Sequence, residues 1–225
     1  MFITFEGGEG SGKTTQMRKL ADALEARGHT VWTTREPGGT PVAEVIRRVV
    51  LMPEATVEAL RQARGLPAMQ PEIDDITPVT ELLLMNAARA QHVVAIRRAL
   101  ASNTIVLCDR FADATLAYQG AGREMDEATV HAVTALATGG LTPDLTVLLD
   151  VDPRQGLRRK LRATRNRLDD EPLAFYERVR AAYLALAAQE PARWLILDAT
   201  QPQDAIAAQI WQAVATRWPA AISGP

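Results

Sequence analysis

The sequence predicts an α/β fold, a three-layer sandwich in which a five-stranded parallel sheet is flanked by helices. Two observations carry this. Five short apolar runs alternate with longer segments of helical period, and a stretch with the spacing G-x-x-x-x-G-K-[ST] joins the first run to the first helix.

The strands are expected at FITF (2–5), TVWTTR (30–35), TIVLCD (104–109), LTVLLDV (145–151) and RWLILDA (193–199). Several are apolar without alternation, as strands are when helices cover both faces of a sheet. Helical period begins at Lys13 and runs to Arg27, stopping at Gly28, a residue suited to the left-handed position after a helix. A long helix opens with Thr77 as N-cap and Pro78 in its first turn and continues to about Ala101. Its apolar stripe reads Leu82, Met85, Val93, Ile96 and Leu100, and Arg89 falls on the same face. Helices are also expected at 153–165, 172–190 and 202–217, with a frayed tail over 219–225. Two stretches break the alternation. Residues 52–77 mix a short helix with a proline-punctuated loop and read as a surface excursion. Residues 158–171 pass from a run of arginines to Asp169, Asp170 and Glu171 and read as a short, movable, arginine-rich lid.

Composition narrows the possible roles. Aromatic residues are 5% of the chain, too few for a platform that stacks single-stranded bases. A net charge of -2 supplies no global field for nucleic acid or an anionic membrane, so neither is an expected partner. Anionic ligands must be held by local clusters of Arg, Lys and backbone N–H groups. The single cysteine, Cys108, excludes an intrachain disulfide and reads as a buried small hydrophobe. His29, His92 and His131 lack metal-ligand spacing and are assigned structural or surface positions. No stretch reaches the ~18 apolar residues of a membrane span, and the N-terminus lacks a basic region followed by a long apolar one. The cytoplasm is the expected compartment.

GGEGSGKT at 7–14 places Gly7, Gly12, Lys13 and Thr14 at the defining positions of a P-loop. Glycines let successive N–H groups turn inward around a phosphate, and the helix N-terminus adds unpaired donors and a positive dipole end. The cradle comprises Gly7, Gly8, Glu9, Gly10, Ser11, Gly12, Lys13, Thr14 and Thr15. Lys13 can reach the β- and γ-phosphates of ATP, and the Thr14 hydroxyl can ligate Mg²⁺. The D-x-x-G and N-K-x-D elements of a switch GTPase are missing. Asp109-Arg110-Phe111 ends a strand at the carboxyl edge of the sheet, where an acid can hold Mg²⁺ or its waters and an arginine can clamp a phosphate. REPGGT at 35–40 ends another strand.

With AAR-Q at 87–91, AYQGAGR at 117–123, PDLTVLLDV at 143–151 and DATQP at 198–202, these elements follow one another as in the bacterial thymidylate kinase family, which the chain resembles over nearly its whole length. The resemblance implies phosphorylation of dTMP by Mg-ATP, with Glu9 at the acceptor's sugar and Arg35, Glu36 and Pro37 lining its site. Asp109 and Arg110 match the pair that holds acceptor phosphate and metal. Thr115, Tyr118 and Gln119 match the segment packed on sugar and base, where Tyr118 would exclude a ribose 2′-hydroxyl. Arg89 matches an arginine of the base and phosphate region. Four residues earlier, where the family usually has Phe, stands Met85, a thioether that can cover a base without stacking on it. The P-loop has Gly10 and Ser11 in place of an arginine, and family members of that kind supply arginines from the lid, here Arg162 and Arg167, with Arg159 also available. The resemblance implies a single domain over 1–225, with an acceptor region about 36–90 and a lid about 156–171, and a homodimer. Two other readings stand beside it: a kinase for another deoxynucleoside monophosphate, and an ATP-binding regulator without turnover.

Overall fold

A computed structural model describes residues 1–65, 75–160 and 167–219. Strand β1 (Phe2–Glu6) is buried along its whole length because it lies at the centre of a five-stranded parallel sheet of order β2-β3-β1-β4-β5. The others are β2 (Val31–Arg35), β3 (Ile105–Asp109), β4 (Leu145–Asp150) and β5 (Trp194–Asp198), each end within a residue of its expected place.

The absence of alternation in these strands has the expected cause. Ile3, Phe5, Leu107, Val147 and Leu149 face helices α1 (Lys13–Glu25) and α9 (Gln203–Arg217). On the opposite side, Phe2, Val106 and Cys108 pack under α4 (Pro78–Ala101), and Leu148 meets α8 (Leu173–Gln189). Helices on both faces leave no solvated side for polar residues. Cys108 is buried, its Sγ 3.0 Å from the Arg110 carbonyl, and burial pushes its thiol well above the usual range, as befits an inert hydrophobe.

The long helix spans the expected residues, and the Thr77 side chain accepts from the Thr80 N–H at 3.2 Å. The short helix anticipated within 52–77 is α3 (Pro53–Ala63), while the helix expected over 153–165 is α7 (Pro153–Lys160), with 161–165 outside the described residues. Other elements go beyond the sequence reading, among them α2 (Pro41–Leu51), α6 (Glu127–Thr138), and a short α5 (Ala112–Thr115) that passes into a π-helix at Leu116–Gly122. Both α2 and α6 are rich in β-branched residues, which weakens intrinsic helix preference. Their caps and packing override it: Thr40 and Asp126 accept from Ala43 and Thr129 N–H groups, and α2 lies on α4. The π-helix leaves no simple periodicity in the sequence, and such segments recur at functional sites. The P-loop, REPGGT and Asp109-Arg110-Phe111 all follow strands of this parallel sheet, so they emerge together at its carboxyl edge.

Candidate active site

The P-loop needs positive φ at Gly7, Gly10 and Gly12, with values of 133°, 65° and 94°. It wraps the Lys13 ammonium, which donates to the carbonyls of Gly7 and Gly8 at 3.1 and 2.8 Å and to Ser11 Oγ at 3.3 Å. Burial and the nearby Arg110 push Lys13 down to about 8, against the pull of Asp109, Glu9 and Glu6. At the second residue of α1, Thr14 Oγ1 donates to Asp109 Oδ2 at 2.8 Å, tying the start of that helix to the end of β3.

Arg110 has φ 69°, a left-handed conformation that costs a non-glycine residue roughly 1–2 kcal/mol. It turns the side chain back across the P-loop, where the guanidinium donates to Gly7 O (3.1 Å), Tyr183 Oη (3.2 Å), Glu9 Oε1 (2.8 Å) and Tyr118 Oη (2.9 Å). Glu9 also accepts from Tyr118 Oη at 3.2 Å and from Lys160 Nζ at 2.7 Å. Burial alone would raise the Glu9 carboxyl, but Arg110, Lys13 and Lys160 hold it far below the usual carboxylate range. Lys160 reaches Glu9 because α7 lies against the P-loop backbone. A Cβ on Gly10 would stand 2.1 Å from the Gly156 carbonyl oxygen, and one on Gly156 would stand 2.2 Å from that of Glu9. Any larger residue at either position would lift α7, and with it Arg159 and Lys160, away from the loop.

Beneath this layer Glu6 is fully buried and accepts from Phe111 N–H and Tyr183 O–H, both at 2.7 Å. Burial, reinforced by Asp113, pushes its carboxyl up to about 8, although Arg110, Tyr183 and the Phe111 N–H pull the other way. The folded chain therefore retains a proton that the unfolded chain gives up above its ordinary 4.5, so this group's stabilisation is full below pH 4.5 and lost as pH rises to about 8. Glu6→Gln should flatten the fall in melting temperature over that interval. A fall that persists unchanged in the variant would assign it to other groups.

On the β2 side, Arg89 is 3% exposed and donates from Nε to Glu36 Oε2 (2.8 Å), from Nη1 to Asn86 Oδ1 (2.7 Å) and from Nη2 to Phe111 O (3.1 Å). The other Glu36 oxygen accepts from His92 Nδ1 at 2.9 Å, and His92 Nε2 lies 2.8 Å from the Thr34 hydroxyl. His92 is thus structural, holding the carboxylate that holds Arg89. Arg35 pairs with Glu44, Arg47 donates to the Pro37 carbonyl at 2.7 Å, and the Glu36–Pro37 peptide is cis. Burial and Arg35 lower the Arg47 guanidinium from its ordinary range. Met85 packs with Val50 and Leu51.

These groups enclose one cavity of about 420 Å³. Glu9 through Thr15, Arg35, Glu36, Pro37, Met85, Arg89, Asp109, Arg110, Thr115, Tyr118 and Gln119 all line it, together with Arg47, Arg159 and Lys160. A family model described as thymidylate kinase matches residues 5–210. The chain is 48% identical to a thymidylate kinase of Deinococcus radiodurans over 96% of its own length and 97% of the relative's. To that of Thermomicrobium roseum it is 50% identical, over 95% and 93%. The crystal structure of thymidylate kinase from Ehrlichia chaffeensis superimposes with a TM-score of 0.66 at 30% identity, covering 95% of this chain and 98% of that one. The chain belongs to the thymidylate kinase family.

Thymidylate kinase membership brings ATP as phosphoryl donor, and the cavity suits an accompanying Mg²⁺. Thr14 and Asp109 offer hard oxygen donors beside the cradle, as suits an ion that takes one or two carboxylates plus phosphates. Among the described residues no cluster of three or more His, Cys, Asp or Glu could hold a metal by itself. Several expected thymidylate kinase residues are placed differently. Gly7 and Gly8 do not line the cavity; their carbonyls hold Lys13. Arg167, expected over the phosphates, also stands outside the lining and donates to Val50 O at 3.2 Å and to Glu81. The reason is that Glu81 is a fully buried carboxylate, which draws cations to itself. Arg162 lies outside the described residues. The sequence reading missed Arg47, Lys160 and Glu81. Nothing local in the sequence marks them, because a charge on a helix is ordinarily solvated.

Proposed function

We infer that the protein transfers the γ-phosphoryl group of ATP to dTMP, yielding dTDP and ADP, within this cavity. The observation that carries the reading is that the P-loop lysine and the cations Arg47, Arg89 and Arg110 line the same space, so donor cradle and acceptor clamp are one site. A protein that only bound ATP would need no second set of cations facing the first.

Phosphoryl transfer passes through a loose transition state, so the protein must align two anions and neutralise the charge between them. Lys13 and the P-loop N–H groups hold the donor phosphates. Arg110, with Arg47 beside it, holds the acceptor phosphate in line, and Arg89 borders the base. Glu9 holds Arg110 and Lys160 and can accept from the acceptor's sugar hydroxyl, while Tyr118 closes the space beside the sugar. Thr14 and Asp109 would hold Mg²⁺, which when bound neutralises phosphate oxygens. Lid residues, Arg162 foremost, would close over the phosphates and exclude water. In this proposal 1–225 is one kinase domain, with an acceptor region about 36–90 and a lid about 156–171. Exposed Val79, Leu83 and Val94 on α4 and Val42 and Val45 on α2 support a homodimer, which sedimentation would reveal and a monomer at micromolar concentration would refute. Among the described residues no helix is long and apolar enough to cross a membrane, and we place the protein in the cytoplasm.

The test is ADP production from Mg-ATP with dTMP, dUMP, dCMP, dGMP, UMP and thymidine as separate acceptors. Fast turnover with dTMP and little with the rest is expected, with Met85 covering the base in place of a ring. Preference for another monophosphate would overturn the substrate, and no turnover with any would leave a nucleotide-binding protein.

A further inference from the structure

Resting on the dTMP reading, we propose that Glu81 is a positioning residue that sets which base the acceptor can carry, by fixing the orientation of the Gln119 amide. Glu81 sits in the first turn of α4 and is 0% exposed. It accepts from Gln119 Nε2 at 2.7 Å, from Arg123 Nε and Nη2 at 3.3 and 3.0 Å, and from Arg167 Nη2. Burial opposes its charge, yet Arg123, Gln119 and Arg167 hold the carboxyl below its ordinary range.

A carboxylate only accepts hydrogen bonds, so the Gln119 side chain has one allowed orientation, with NH₂ toward Glu81. Its carbonyl oxygen must then face the other way. Gln119 lines the cavity, and among the described residues Oε1 takes no protein hydrogen bond. The floor of the cavity therefore presents a fixed acceptor. Thymine and uracil carry an N3–H that can donate to it. Cytosine has a bare N3 and would set lone pair against lone pair. An unconstrained glutamine could rotate its amide and serve either base. The buried charge on Glu81 removes that freedom. Ionising a carboxyl in the interior is costly, and specifying one amide orientation gives that cost a purpose. The π-helix contributes as well, since it turns Gln119 toward α4 while Tyr118 faces Glu9 and Arg110.

Glu81→Gln can present either an amide N–H or a carbonyl to Gln119 and should release the constraint. The readout is the ratio of kcat/KM for dTMP to that for dCMP, expected to fall at least about tenfold as dCMP gains and dTMP loses. Arg123→Gln is the control, because Arg123 pairs with Glu81 and Glu171 but not with Gln119. It should lower the melting temperature and leave the ratio at the wild-type value. Should Glu81→Gln not fold, Glu81→Asp keeps the charge but shortens the reach to Gln119, and the same fall in ratio is expected. A wild-type ratio in the folded Glu81 variant, or an equal fall in Arg123→Gln, overturns the proposal. A wild-type chain that uses dCMP as readily as dTMP overturns the dTMP reading itself, and with it this inference.

Discussion

Lys13→Met should lower kcat about 10³-fold at saturating ATP and dTMP, with the far-ultraviolet circular dichroism spectrum unchanged. The ammonium is the cation inside the P-loop itself, held by two loop carbonyls and Ser11 Oγ. Methionine keeps most of the apolar stem in its buried slot and removes the charge, so the loop loses its electrostatic role while its packing survives. Removing one preorganised donor from a developing anion costs roughly 10²–10³ in kcat, and a full charge at a transferring phosphoryl group stands at the upper end. Because burial holds Lys13 near 8, a neutral amine is within reach at mildly alkaline pH, but bound phosphates favour the charged form. Residual turnover within about tenfold of wild type would refute the assignment of Lys13 to the transferring phosphate.

Arg110→Met should lower kcat/KM for dTMP by about 10²–10³ while the KM for ATP changes little. Arg110 lines the cavity, and its four side-chain hydrogen bonds join the P-loop to Tyr118 and Tyr183. Loss of the guanidinium would remove the proposed acceptor-phosphate ligand and one ion-pair partner of Glu9, leaving Lys160 among the described residues. The melting temperature should therefore fall as well, since a partly buried carboxylate loses one of the cations that hold it. Arg110→Lys should rescue little, because a single ammonium cannot span the separate partners that the planar fork reaches. Equal losses in ATP and dTMP affinity would show instead that Arg110 only supports the P-loop.

Both residues could be found by reading along the chain, because each belongs to a short motif at the end of an apolar strand. The same holds for Thr14, Asp109 and Glu9. Arg89 stood out as an arginine on an apolar helix face, but nothing nearby in the sequence named Glu36, 53 positions away, as its partner. Arg47 and Lys160 were hidden for a different reason. A charged residue on a short helix is ordinarily solvated, and only the packing of α2 against α4 and of α7 against the P-loop turns these two into the cavity. Arg167 shows the converse, a lid arginine taken out of the cavity by a buried acid on α4.

The sequence by itself determined the sheet, the P-loop and the long helix with its N-cap, because apolar periodicity, capping and glycine turns are interactions among near neighbours in the chain. The tertiary structure alone decided which charges meet. Glu81 is an unremarkable first-turn acid until α4, the π-helix and the segment at Arg167 close around it, placing Gln119, Arg123 and Arg167 on a carboxylate with no exposure to water. Burial is a property of the assembled fold, and burial is what turns an exposed charge of little energetic consequence into one that fixes the orientation of its neighbours.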